Sequence, residues 1–162
     1  MSKVHPFLWF EDKAEEAANY YVAVFKNSNI NAVVKYPKAA EAVADRAAGS
    51  VMTVDLEIEG EHFTFLNGGK VPGFEFSSAV SFVVSCETQE EVDHYWGKLS
   101  AVPEAEQCGW CKDKFGVTWQ VVPKILGEML SDPDQAKVER VTAAFMPMKK
   151  LDIASLQQAY DK

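Results

Sequence analysis

Apolar positions along the chain follow two rhythms. The first stretch, Val4-His5-Pro6-Phe7-Leu8-Trp9-Phe10, is rich in aromatic and β-branched residues and predicts a strand. Glu11 to Glu15 follow, where Asp12 is placed to cap a helix with Glu15 as its reciprocal partner. Ala14, Ala17, Ala18, Tyr21, Val24 and Phe25 then recur at helical spacing, and Asn27 to Asn29 end the run. Further strands are predicted at Ile30–Tyr36, Ser50–Glu59 and His62–Asn67, the last two joined at Gly60. Lys38–Ala48 is Ala-rich and fits either a loop or a short helix.

The second half restarts the same order. Ala79–Cys86 predicts a strand, Thr88 with Glu91 a capping box, and Val92, Tyr95, Trp96 and Leu99 a helical face. When Phe7–Tyr21 is laid over Phe82–Trp96 without gaps, Glu15-Glu16 falls on Glu90-Glu91 and Tyr20-Tyr21 on Tyr95-Trp96. Strands at Gln107–Lys112 and Val117–Val122 come next, and a strand near Ala105 is short or missing. The pattern is a duplicated α+β unit; two copies do not make a solenoid. A tail after Pro123 reads as helices at Ile125–Leu130, Asp134–Phe145 and Leu151–Tyr160, to be packed on the body or across a dimer.

Composition narrows the function classes. The 162 residues are 48% apolar and 25% charged, an ordinary balance for a globular domain with a real core. A net charge of -8 repels nucleic acid and anionic membrane, so neither is an expected partner. No run approaches the roughly 18–20 apolar residues of a membrane helix. Met1 to Pro6 carries no apolar signal segment. The odd set Cys86, Cys108 and Cys111 is then expected as reduced thiols, which points to a cytoplasmic protein. The chain contains no Gly-x-Ser-x-Gly, P-loop or His-Glu-x-x-His motif.

Several stretches together resemble a known family. They are Pro6-Phe7-Leu8-Trp9-Phe10, Glu15-Glu16-Ala17-Ala18-Asn19-Tyr20-Tyr21, Phe65-Leu66-Asn67-Gly68-Gly69, Ser81-Phe82-Val83-Val84 and Gly109 through Pro123, with Leu130–Asp134 and Lys150–Ala154 in the tail. The sequence resembles the PhnB-like branch of the vicinal-oxygen-chelate superfamily, which also holds glyoxalases, bleomycin-resistance proteins and dioxygenases. Some members carry the label of a 3-demethylubiquinone-9 3-methyltransferase domain. The resemblance implies an α+β fold of two βαβββ modules, approximately residues 1–70 and 76–123, whose mixed sheets curl around a cavity. A helical C-terminal extension, 124–162, is added to them. It also implies a homodimer. The methyltransferase label fits the residues poorly: the only double glycine, Gly68-Gly69, ends a strand and opens no helix, unlike a cofactor-binding Gly-rich turn.

Metal-using relatives place one ligand on each of four inward strands. Carried over, these positions fall on His5, at or beside Phe65, near Ser81, and on Gln120. His and Gln can ligate, Phe cannot, and Ser is poor, so no metal or other cofactor is expected. Alternation groups His5, Phe7 and Trp9 on one face of the first strand and Pro6, Leu8 and Phe10 on the other. It likewise groups Phe63, Phe65 and Asn67; Ser81, Val83 and Ser85; and Thr118, Gln120 and Val122. If His5 faces inward, the expected ligand-binding residues are His5, Phe7, Trp9, Phe65, Asn67, Ser81, Trp110 and Gln120, an aromatic lining with a few polar handles. A filled aromatic core is the competing reading. His62 and His94 fall on an exposed hairpin side and a polar helix face. Cys108 and Cys111 lie three apart on a predicted strand and point to opposite faces, which suits structural thiols better than a redox pair. The expectation is a homodimeric, metal-independent binder of a small, partly aromatic or apolar molecule. The alternatives are a lyase, isomerase or dioxygenase using a divalent metal with His5 and Gln120 at its centre, and a dimeric scaffold.

Overall fold

The computed structural model describes residues 3–162. By internal contacts the chain divides into two compact units, one ending at Glu75 and one running from Phe76 to Lys162.

The first unit is a complete βαβββ module. Strand β1 (Phe7–Phe10) is followed by helix α1 (Ala14–Val24), then by β2 (Ser28–Lys35), a short helix α2 (Glu41–Ala44), β3 (Val51–Ile58) and β4 (Glu61–Asn67). The sheet order is β1-β4-β3-β2, with β1 parallel to β4 and the rest antiparallel. The β3–β4 hairpin turns at Glu59 and Gly60, both with positive φ (48° and 87°), the geometry a two-residue hairpin needs to match strand twist. Helix α1 buries Ala14, Ala17, Ala18, Tyr21 and Val24 against one face of the sheet. The small residues let the helix approach, and Tyr21 meets Phe65 with ring centroids 5.8 Å apart.

The start of α1 differs from the sequence expectation. Asp12 does not cap it; Lys13 holds the cap position and its side chain makes no cap bond. The acceptor comes from β4, where Asn67 Oδ1 accepts from Ala14 N at 2.7 Å. The cap is tertiary, so no local sequence signal announces it.

The second unit begins with β5 (Phe82–Cys86), α3 (Gln89–Leu99), β6 (Trp110–Lys112) and β7 (Thr118–Pro123) in a sheet of order β5-β7-β6. Again the first strand is parallel to the last, and β6 is antiparallel. This module is βαββ: a 3-10 turn at Pro103–Ala105 stands where the first module has β2. Thr88 caps α3 as expected, accepting from Glu91 N at 3.3 Å, while Glu91 reaches back to Glu87 N at 2.7 Å.

The internal repeat is real in its element order, but the gapless overlay slips by one residue in the strands. The inward helix positions Ala17, Tyr21 and Val24 match Val92, Trp96 and Leu99, as laid out. The buried strand positions Leu8 and Phe10 match Val84 and Cys86 instead. The cause is the connection: Glu11-Asp12-Lys13 links β1 to α1, whereas Glu87-Thr88 alone links β5 to α3.

Three helices complete the second unit: α4 (Lys124–Leu130), α5 (Gln135–Phe145) and α6 (Ile153–Asp161). Leu126, Met129, Val141, Leu151 and Leu156 form their shared core. Asp134 and Asp152 cap α5 and α6 by accepting from Ala136 N and Ser155 N. The tail packs on its own module. Met148 O and Lys149 O accept from Cys108 N and Gly109 N at 2.7 and 2.8 Å, and the Gln89 amide bridges Leu151 O and Ile153 N. Asp113, almost fully buried, organises the β6–β7 turn: Oδ1 accepts from Phe115 N and Val117 N, and Oδ2 from Trp119 Nε1 at 2.8 Å.

Candidate functional site

In each sheet one face is covered by the helix of its module, and in the first module the opposite face carries no helix of its own unit. In the first module the covered face carries Leu8 and Phe10 from β1, Val54 and Leu56 from β3, and Phe63, Phe65 and Asn67 from β4, all buried. The register of β1 against β4 settles the grouping, since Leu8 lies beside Phe65 and Phe10 beside Asn67.

His5, Phe7 and Trp9 therefore share a face, as alternation predicted, but Phe65 and Asn67 lie on the opposite one. Phe65 is fully buried among Phe10, Tyr21 and Phe63. The Asn67 amide is committed to structure: beyond capping α1 it donates to Val51 O at 3.2 Å, and the backbone carbonyl of Asn67 accepts from Tyr36 Oη. The residues of β4 that stand with His5, Phe7 and Trp9 are His62, Thr64 and Leu66. A strand shift of one residue moves every side chain to the other face, and alternation within one strand cannot fix that choice.

The open face holds a polar chain. Thr64 Oγ1 donates to Asp55 Oδ1 at 2.7 Å, and His5 Nε2 lies 3.2 Å from the same Thr64 oxygen. Asp55 stands opposite Thr64 in the β3–β4 register, and Glu57 opposite His62. The His62 ring meets the His5 ring edge-on, centroids 4.5 Å apart. His62 is thus half-buried against His5 and not the solvated hairpin residue that its position suggested. Phe7 flanks this chain and is 56% exposed. Trp9 is pinned: Nε1 donates to Gly69 O at 2.9 Å, and the indole lies edge-on to Phe74. A Cβ on Gly68 would stand 2.2 Å from the Trp9 ring, so the glycine there makes room for the indole.

On the second module's sheet, the face opposite α3 brings Ser81, Trp110 and Gln120 together. Gln120 pairs with Val83 on one side and Trp110 on the other. Gln120 Nε2 donates to Ser81 Oγ at 2.9 Å. Val83 is exposed, while Ser81, Trp110 and Gln120 are half-buried.

The cysteines divide differently from expectation. Cys108 is not on a strand; it occupies a tight turn with Gly109, both with positive φ (50° and 84°), bracketed by reciprocal bonds between Gln107 and Trp110. Its thiol donates to Met146 O at 2.9 Å. Cys86 and Cys111 are buried, and all three thiols are free. Burial, aided by Glu91, pushes the Cys86 thiol up to about 12. Burial, with Asp113 and Glu106 adding to it, does the same for Cys111.

A family profile described as 3-demethylubiquinone-9 3-methyltransferase matches residues 2–122. The chain belongs to that family. Among solved structures, a PhnB protein of Bacillus cereus, described as a 3-demethylubiquinone-9 3-methyltransferase, is 32% identical with a TM-score of 0.62. That match covers 75% of this chain and 99% of the other. A Pseudomonas aeruginosa protein, PA1353, shares the fold at 17% identity and a TM-score of 0.55, covering 76% of this chain and 98% of the other. No functionally curated protein matches. The family match ends at β7, so the α4–α6 tail lies beyond it.

The residues at the relatives' metal positions do not fit an ion. In the first module His5 Nε2 engages Thr64, whose hydroxyl proton is given to Asp55. In the second, Ser81 and Gln120 are bonded to each other. Among the described residues no three His, Cys, Asp or Glu side chains converge with ligating geometry. Likewise, no helix there is long and apolar enough to cross a membrane.

Proposed function

We propose that this PhnB-like protein binds a small, partly aromatic molecule on the open face of its first module, without a metal ion. The observation that carries the reading is the chain His5–Thr64–Asp55, held on a face that no helix of its unit covers and flanked by Phe7 and Trp9. An apolar surface with a few convergent polar groups is the usual make-up of a small-molecule site. The Ser81–Gln120 pair beside Trp110 offers the same combination on the second module.

Binding is preferred to methyl transfer for a local reason. The turns leading into α1 and α3, Glu11-Asp12-Lys13 and Glu87-Thr88, contain no glycine, and Gly68-Gly69 leads into a loop. A strand-to-helix turn that would bring backbone N–H groups close to a nucleotide cofactor is not built in either place. The relation to PhnB-like proteins, together with the exposed Val33 and Val34 on edge strand β2, supports a homodimer.

A fragment screen by thermal shift in the presence of a chelator tests the binding reading. Aromatic fragments should raise the melting temperature of the wild type and raise that of a Phe7→Ser, His5→Ala variant less. Hits that appear only after a divalent ion is added would refute metal independence. Light scattering tests the dimer, and a monomer at all concentrations would refute it.

A further inference from the structure

The hydrogen bonds on the first module's open face assign donor and acceptor roles, and these roles select a ligand class. A threonine hydroxyl has one proton and accepts with its lone pairs. The Thr64 proton goes to Asp55 Oδ1, at 2.7 Å, because a carboxylate can only accept. The Thr64 oxygen is then an acceptor toward His5, and His5 Nε2, at 3.2 Å, must be the donor. A neutral imidazole carries one N–H, so its Nδ1 is left with a lone pair. No hydrogen bond among the described residues engages that Nδ1, and His5 is exposed. Among the described residues the ring against it, His62, meets it edge-on.

From this we infer that His5 Nδ1 reads the ligand by accepting a hydrogen bond, with Thr64 and Asp55 as the residues that position it. The inference rests on the binding reading above and narrows it. The ligand class is an uncharged planar molecule with an O–H or N–H donor, such as a phenol or an N–H heterocycle, stacked beside Phe7. A carboxylate ligand is disfavoured twice. It has no proton to give Nδ1, and Asp55 and Glu57 on the same face repel it. An ether of the same shape fits the apolar surface and leaves Nδ1 unpaired.

Three matched probes separate these cases: phenol, anisole and benzoate, each titrated into 15N-labelled full-length protein at pH 8 with a chelator present. Phenol should shift the His5 imidazole nitrogens and the Thr64 amide, and bind about fivefold more tightly than anisole, the gain of one net hydrogen bond. Benzoate should be the weakest. Long-range proton–nitrogen correlation should show Nδ1 as the unprotonated nitrogen of His5 in the free wild type, a readout that needs no variant. In His5→Phe, phenol and anisole should bind alike. In Thr64→Val, the phenol preference should shrink while anisole binding stays within twofold. Anisole binding as tightly as phenol to the wild type, benzoate binding best, or a protonated Nδ1 in the neutral ring would each overturn the assignment and leave the binding reading standing. If none of the three probes perturbs His5, Phe7, Thr64 or Trp9, the binding reading itself fails, and the assignment fails with it.

Discussion

Removing the Asn67 amide tests whether that side chain is a structural cap or part of a ligand surface. Asn67 is 8% exposed, and its side chain makes two bonds to the backbone. Loss of the Oδ1 acceptor leaves Ala14 N unpaired at a buried helix start, and losing an N-cap acceptor costs about 1 kcal/mol, up to about 2 when the site is well packed. The Nδ2 bond to Val51 O, at 3.2 Å, adds about 0.5–1 kcal/mol. Asn67→Ala should therefore destabilise the first module by about 2–3 kcal/mol. Asn67→Asp keeps the acceptor and puts negative charge at a helix N-terminus, which is favourable, but loses the donor. It should cost about 1 kcal/mol. Urea unfolding followed by circular dichroism measures both, with an unchanged slope confirming that only stability moved. Native-state hydrogen exchange of the α1 amides localises the loss. An Asn67→Ala protein within 0.5 kcal/mol of wild type, or an aspartate variant as unstable as the alanine one, would refute the tertiary cap.

Asp113→Ala strands two buried donors and a part-buried one and should cost about 3–4 kcal/mol, whereas Asp113→Asn, which still accepts from two backbone groups, should cost about half of that in the same unfolding assay. Gly68→Ala should displace the Trp9 indole and break its bond to Gly69 O, seen as a red shift and quenching of tryptophan emission. In native protein at pH 8 a thiol reagent should label Cys108 first, while Cys86 and Cys111 react only on unfolding, by mass spectrometry. Those two thiols, near 9 when unfolded and about 12 when folded, also set an alkaline limit. Above pH 9 the unfolded chain gives up protons that the folded one keeps, so stability present below pH 9 should fall steadily toward pH 12. A Cys86→Ala, Cys111→Ala double variant should lose less over that range.

The elements were legible because their signals are local. The helix faces of α1 and α3, the Gly60 turn, the Thr88 cap and the three tail helices all fall where periodicity and turn residues put them. The doubling of the module and the missing strand near Ala105, where a 3-10 turn stands in place of a counterpart to β2, were legible for the same reason. What sequence could not supply was relation between strands. The pairing of Leu8 with Phe65 decides that β4 turns Phe65 and Asn67 toward the helix and His62 and Thr64 away from it. His62, Thr64 and Asp55 were therefore missed as neighbours of His5. One signal was available: Asn67 precedes Gly68-Gly69 at a strand end, and an Asn side chain readily bonds backbone groups where a strand gives way to a loop. The Cys108-Gly109 turn has the look of a strand in sequence because Gln107 and Trp110 do pair, while the positive φ at a cysteine has no strong sequence mark.

If the His5–Thr64–Asp55 face takes up a small planar molecule without a metal ion, a crystal can show the molecule in place. The decisive experiment is a crystal of chelator-treated protein soaked with phenol. Density for phenol should lie against Phe7, with its oxygen within hydrogen-bond distance of His5 Nδ1. Phenol bound elsewhere with this face bare, or bound here only in crystals supplied with a divalent ion, would contradict it.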